Sequence, residues 1–128
     1  MKKRVLIVED IEDLRKILRT FLEEEGFEVY EASNCADALK ICANFQPHIL
    51  ILDVYLQGEL GIDIAATVAR DRSYYGSPKV IAVSGTIGGA WVQSEEFMKE
   101  NNIDVFMKKP INYIDLMATV KSLLNSQF

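Results

Sequence analysis

Arg4-Val5-Leu6-Ile7-Val8-Glu9-Asp10 is the stretch that decides the fold. Four consecutive aliphatic residues read as a central parallel strand covered on both faces, and this one ends in two acids. The same pattern returns at Ile49-Leu50-Ile51-Leu52-Asp53. In an open parallel sheet, ligands sit at the carboxyl ends of the strands, so Glu9, Asp10 and Asp53 are expected to meet at one edge. Crowded carboxylates resist joint ionisation unless a cation is shared, and hard oxygen ligands suit Mg²⁺ or Mn²⁺. The pattern predicts a divalent-metal site beside one reactive aspartate.

Outward from these runs, strand and helix patterns alternate without internal repeats, the signature of a parallel α/β sheet. The first helix is expected over Asp13–Glu25, with Leu14, Ile17, Leu18, Phe21 and Leu22 facing inward. Gly26 stops it in a left-handed conformation. Phe27–Glu31 is polar on alternate residues, as an edge strand would be. Ser33 or Asn34 caps a second helix with Ala38, Leu39, Ile41 and Cys42 inward. After a strand over His48–Asp53, the turn Gln57-Gly58-Glu59-Leu60-Gly61 leads into a third helix ending near Arg70, with Ile62, Ile64, Ala65 and Val68 inside.

Pro78 precedes a fourth strand, Val80–Val83, which stops at Ser84. Gly85-Thr86-Ile87-Gly88-Gly89 predicts a mobile loop, because ordering glycine-dense backbone is costly. A fourth helix is expected over Trp91–Lys99, after which Asn102 takes a left-handed position that few residues tolerate. The fifth strand, Asp104–Lys108, runs into Lys109-Pro110, and Asn112 caps a last helix with the stripe Leu116, Val120 and Leu123.

At 128 residues and 49% hydrophobic, the chain is expected to form a single domain over residues 1–128. No apolar stretch approaches the roughly 20 residues that span a bilayer, and Met1-Lys2-Lys3-Arg4 lacks the apolar region of a signal peptide. The expectation is a cytoplasmic protein without membrane contact. A net charge of −5 opposes a direct grip on nucleic acid, which needs a basic face. Cys35 and Cys42 would lie about 10.5 Å apart on a helix, beyond the roughly 7 Å reach of a disulfide, and are expected to pack as small hydrophobes. His48 is the one histidine, so no paired-histidine metal site can form, and it is expected merely to fill the turn after Pro47.

In chain order the strand ends supply Glu9-Asp10, Asp53, Ser84 and Lys109, the last followed by Pro110. This order and spacing resembles the receiver domain of two-component response regulators, in its stand-alone, chemotaxis-regulator-like form, and the resemblance covers nearly the whole chain. Each element is weak alone, and jointly they are a strong signal. The resemblance implies a flavodoxin-like, doubly wound five-stranded parallel sheet of order 2-1-3-4-5, flanked by five helices, with its crevice where the strand order reverses. It implies a phosphoacceptor signalling switch in a phosphorelay, with Mg²⁺ or Mn²⁺ as cofactor.

Phosphoryl transfer to a carboxylate needs an exposed nucleophilic oxygen, a cation to neutralise the donor phosphate, and donors where phosphoryl charge accumulates. Asp53 fits the nucleophile. Asp10, with Glu9 directly or through water, would hold the metal together with an oxygen of Asp53, and the resemblance adds the backbone carbonyl of Tyr55. Lys109 supplies a point charge that can pair with Asp53 before transfer and with a phosphoryl oxygen after it. Lys108 is its solvated neighbour on the alternate face. Placement directly before Pro110 selects Lys109 by resemblance and implies a cis Lys109-Pro110 bond. Ser84 would donate its hydroxyl to the phosphoryl group, and Phe106 matches the aromatic switch position of receivers. Phosphorylation would then re-form the surface of the fourth helix, fifth strand and last helix, including Tyr113 and Trp91. Tyr55 and Thr86 match positions that flank the path of an attacking water.

Two departures stand out. Receivers often carry proline four residues after the phosphoacceptor, where this chain has Gln57, which predicts a looser turn; the glycine expected further on is present as Gly61. The segment between Ser84 and Lys109 is also a few residues longer than is common.

Other classes fit less well. An aspartyl-phosphate phosphatase of the dehalogenase type wants a second acid two residues after the nucleophile, where Tyr55 stands. A flavin- or nucleotide-binding flavodoxin-like module wants a phosphate cradle after the first strand, where Asp10-Ile11-Glu12-Asp13 would repel phosphate. A degenerate receiver used only for binding is opposed by the complete acidic set. No separate enzymatic activity is expected beyond phosphotransfer and autodephosphorylation. The implied partners are a histidine kinase or phosphotransfer protein and a downstream protein target, and a homodimer is left open. With no output domain after the last helix, the chain is expected to act alone or to be a piece of a longer regulator.

Overall fold

The computed structural model describes residues 2–85 and 94–125. In chain order the elements are β1 (Arg4–Val8), α1 (Glu12–Glu24), β2 (Glu28–Ala32), α2 (Cys35–Phe45), β3 (Ile49–Asp53), β4 (Tyr55–Leu56), β5 (Glu59–Leu60), α3 (Ile62–Arg70), α4 (Arg72–Tyr75), β6 (Lys79–Ser84), α5 (Glu95–Glu100), β7 (Val105–Lys108) and α6 (Tyr113–Asn125). The main sheet is parallel with order β2-β1-β3-β6-β7, the expected order once the small β4-β5 pair is set apart.

The aliphatic strands form its centre because both their faces are covered. Leu6 and Val8 of β1 and Leu50 and Leu52 of β3 join the core on the side of α2 and α3. Val5, Ile7, Ile49 and Ile51 point the other way, against α1 and α6. Each fully buried Leu or Ile of this kind contributes about 1.5–3 kcal/mol by leaving water. Register carries the sheet upward in step, with Val8 opposite Leu52 and Asp53 opposite Val83, so the strands end at one level.

Several local signals act as read. Gly26 takes φ +94° after α1, and Asn102 takes φ +60°. Of the two cap candidates for α2, Asn34 accepts the amide of Asp37. Asn112 accepts the amides of Ile114 and Asp115 at the start of α6. Both cysteines are free, and burial pushes each thiol up to about 11, in keeping with packing and not redox chemistry. His48 does more than fill a turn: its Nδ1 accepts the amide of Arg4, and its own backbone bonds to Arg4 and Lys79 on either side.

Other expectations need correction. There are six helices and not five among the described residues, because Arg72–Tyr75 forms one turn capped by Asp71. Leu14 and Ile17 are exposed, not inward. The apolar stripe of α1 is wider than its contact with the sheet, so only Leu18 and Leu22 are buried, while Phe21 packs its ring 4.9 Å from that of Tyr113. The Gln57–Gly61 turn is not loose but an antiparallel hairpin, β4-β5. Thr86, Trp91 and most of the glycine-dense loop lie outside the described residues, and of the fourth expected helix only Glu95–Glu100 is described, capped by Ser94. No helix among the described residues is long and apolar enough to cross a membrane.

Candidate functional site

Because β1, β3 and β6 end level, the residues just past their last buried aliphatics converge. Glu9 is held by its amide bonding to Ala32 on β2. Asp53 is the last residue of β3, and Ser84 the last of β6. Lys109 follows β7, its amide bonding to the carbonyl of Ser84. One carboxylate oxygen from each of Glu9, Asp10 and Asp53 can be chosen so that all lie within 4.8 Å of one another. The Lys109 ammonium reaches across 100 positions of sequence to Glu9, at 3.0 and 3.2 Å from its two oxygens, and lies 2.7 Å from Asp53 Oδ2. Lys108, one residue earlier, is exposed, and the Lys109-Pro110 bond is cis.

The charges do not balance: three carboxylates face one ammonium. Glu9 is 4% exposed and Asp53 7%. Burial first, and then its neighbour Asp53, push the Glu9 carboxyl up to about 7, against the opposing pull of Lys109. For Lys109, burial acts to lower its pKa, yet the hydrogen bonds to Asp53 and Glu9 prevail and hold the ammonium above its ordinary range. A buried acid driven toward protonation beside two others is the chemistry a divalent cation relieves, so the donor set fits Mg²⁺ or Mn²⁺.

The loop after Asp53 is built closely around it. Asp53 Oδ1 accepts the amide of Tyr55, and the amide of Val54 bonds to Val83 on β6. The amide of Gly61 bonds back to the Val54 carbonyl, and a Cβ on Gly61 would overlap the carbonyl oxygen of Asp53, so a side chain there is excluded by close approach. Between these points the hairpin turns at Gln57-Gly58, and the Gln57 amide donates to Asp10 Oδ2 at 2.8 Å. Sequence reasoning missed this tie; Gly58 between two apolar-containing pairs was the available turn signal. On the other rim, a cavity of about 500 Å³ runs from Asp53 and Lys109 to Leu14, Ile111 and Tyr113.

The expected switch residues lie on the two strands beyond β3, Ser84 on β6 and Phe106 on β7. Ser84 is 2% exposed at the end of β6. Phe106 pairs with Ala82 in register and packs, half-buried, on the core beside α2 and α3. Tyr55 is exposed at the rim of the site.

The response regulator receiver domain family matches residues 5–121. The chain belongs to that family. It is 26% identical over 124 residues to the polar-differentiation response regulator DivK of Brucella anthropi, covering 97% of this chain and 98% of that one. A CheY-like receiver domain protein from Methanospirillum hungatei is 27% identical, with a TM-score of 0.85 over 99% of this chain and 97% of that one. A chemotaxis response regulator of Vibrio cholerae, at 21% identity and a TM-score of 0.81, covers 96% of this chain and 99% of that one and shares the fold. As a receiver, this protein is a phosphoacceptor signalling switch that interacts with phosphodonors and downstream targets. Receivers bind Mg²⁺ at an acidic pocket, and the cluster of Glu9, Asp10 and Asp53 could hold such an ion. Nothing in these relatives supports a phosphatase or a flavin-binding module.

Proposed function

We propose that the chain is one receiver unit over residues 1–128 in which Asp53 is the phosphoacceptor. The observation that carries this reading is the contact of the Lys109 ammonium with Asp53 Oδ2, at the level where two further carboxylates converge. A carboxylate oxygen of Asp53 attacks phosphorus, the bond from phosphorus to the donor breaks, and the donor leaves with the electron pair. No proton need move on Asp53. Lys109 pairs with Asp53 beforehand and with a phosphoryl oxygen afterwards, where charge accumulates. Asp10, Asp53 and the carbonyl of Tyr55 would hold Mg²⁺ or Mn²⁺, with Glu9 bound directly or through water. When bound, the cation would supply positive charge that offsets the crowded carboxylates and the incoming phosphoryl group.

Ser84 donates its hydroxyl to the phosphoryl group, and Phe106 follows inward, re-forming the surface of α5, β7 and α6. The parallel pairing of β6 with β7, with Ser84 opposite Lys108 and Ala82 opposite Phe106, supports this coupling. The phosphodonor is a histidine kinase or phosphotransfer protein, the readout is a downstream protein target, and the setting is cytoplasmic. A homodimer through the α5-β7-α6 face is tested by light scattering with and without beryllofluoride, a phosphoryl mimic.

Incubation with acetyl phosphate and Mg²⁺ should add one phosphoryl group by intact mass, and Asp53→Asn should abolish the addition while leaving the fold intact. Undiminished labelling of that variant would sink the assignment.

A further inference from the structure

Asp10 sits in a part-exposed loop after β1, and its carboxylate could turn freely between solvent and site. One contact stops it: the backbone amide of Gln57 donates to Oδ2 at 2.8 Å, across 47 residues of sequence. That amide is itself placed by a braced hairpin. Its base is fixed by the Gly61 amide on the Val54 carbonyl. Its far strand is tied to α2, where Glu59 Oε1 accepts the amide of Cys35 at 3.1 Å and the Cys35 thiol lies 3.6 Å from the Leu60 carbonyl. A ligand oxygen oriented by a donor on a rigid support loses less freedom when a cation arrives.

We infer that Gln57 is a positioning residue for the cation site, acting through its backbone N–H on Asp10. The inference rests on the reading of Asp10 as a metal ligand given above. Since only the amide is used, the side chain at 57 is free to vary, with one exception: proline has no N–H. The local backbone would accept proline well. Gly58 takes φ +74° at the third turn position, and Gln57 keeps a negative φ at the second, the arrangement of a turn that favours proline before glycine. Leu56 is already extended in β4, as the residue before a proline must be. Gln57→Pro therefore removes the donor with little other disturbance, and Gln57→Ala keeps it.

Calorimetric titration of Mg²⁺ into the unphosphorylated chain tests this. Gln57→Pro should weaken binding about tenfold, the scale of a lost partner to a metal ligand, while Gln57→Ala binds as wild type does. In an Asp10→Ala background, Gln57→Pro should cause no further loss. Hydrogen exchange supplies a readout that needs no proline variant: the Gln57 amide should exchange faster in Asp10→Ala than in wild type. Wild-type affinity in Gln57→Pro, an equal loss in Gln57→Ala, or an undiminished loss on top of Asp10→Ala would each overturn the inference. Wild-type affinity in Asp10→Ala would overturn the site reading beneath it, which separates the two failures.

Discussion

Two clusters of charge lie a strand or two apart and are built in opposite ways. At the ends of β1 and β3, the carboxylates of Glu9, Asp10 and Asp53 gather near one ammonium, that of Lys109. On β2, the single carboxylate of Glu31 lies between Arg15 and Arg19, at 2.8 and 2.6 Å. Burial pushes both Glu9 and Glu31 upward, so the partners decide the outcome. Glu9 ends at about 7, and Glu31 ends below its ordinary value because two guanidinium groups hydrogen-bond to it. Arg19 also pairs with Glu23 at 3.3 Å, so two guanidinium groups face two carboxylates and the β2 cluster is electrically complete within the chain. The cluster at Asp53 is not, and its excess of negative charge is what a divalent cation would offset. An unbalanced buried acid is thus the mark that separates the functional cluster from the structural one.

Removing a cation from each cluster gives the sharpest break. Lys109→Ala should slow labelling by acetyl phosphate and Mg²⁺ by about a hundredfold or more, because a donor aimed at developing charge is lost. Arg19→Ala should leave labelling unchanged. Equal rates in the two variants would show that the Lys109 ammonium takes no part in transfer.

The clusters should also respond to pH with opposite sign in the metal-free protein. Glu31 is depressed, so its contribution is fully present above its unfolded value of about 4.5 and is lost as pH falls through its lower folded value. Glu9 is raised, so between about 4.5 and 7 the folded state holds a proton that the unfolded state has released. Stability therefore falls as pH climbs through that window, by about 3 kcal/mol. Urea denaturation in EDTA should show the fall flattened in Glu9→Gln, and part of the acid-side loss removed in Glu31→Gln. Saturating Mg²⁺ should reverse the Glu9 component alone. A Glu9→Gln profile that keeps the wild-type slope would mean that Glu9 ionises normally.

The acids at the ends of β1 and β3 were legible because apolar runs fix strand position and sheet topology fixes which ends meet. Gly26, Asn34, Asn102 and Asn112 were legible for a different reason, since each satisfies a local backbone need whatever the rest of the chain does. What escaped were elements without periodicity and contacts without locality. β4 and β5 are two residues each, too short for alternation to register, and α4 is a single turn. The Gln57–Asp10 and Arg15–Glu31 contacts join residues that no spacing rule relates. Leu14 and Ile17 show the converse error, in which helical spacing marks a face but not how much of that face the sheet covers.

At the rim of the unbalanced cluster, Tyr55 offers a smaller effect. Tyr55 is 43% exposed while its amide is tied to Asp53 Oδ1, so the residue stands next to the carboxylate proposed as phosphoacceptor. Hydrolysis of the phosphoaspartate needs water in line with phosphorus, and a phenol ring obstructs that approach more than it orients the water. Tyr55→Asn should shed its phosphate several-fold faster in a decay measurement after donor removal. An equal or slower rate would show that Tyr55 does not guard the site.

The smallest effect is expected at Arg15, the side chain that touches both clusters. Its Nε bonds to Glu31, and its Nη1 donates to the backbone carbonyl of Glu9 at 2.9 Å. If the two clusters are independent, Arg15→Ala should cost the fold about 1 kcal/mol for its lost hydrogen bonds, with Arg19 still neutralising Glu31. Mg²⁺ affinity should move by no more than about twofold, because Arg15 holds the main chain of Glu9 and not its carboxylate, and the Ala32 carbonyl still receives the Glu9 amide. Calorimetric titration beside Gln57→Pro makes the comparison direct. A loss in Arg15→Ala as large as in the proline variant would mean that the guanidinium transmits to the acids through the β1 backbone. The complete cluster on β2 would then be part of the machinery that holds the incomplete one in place.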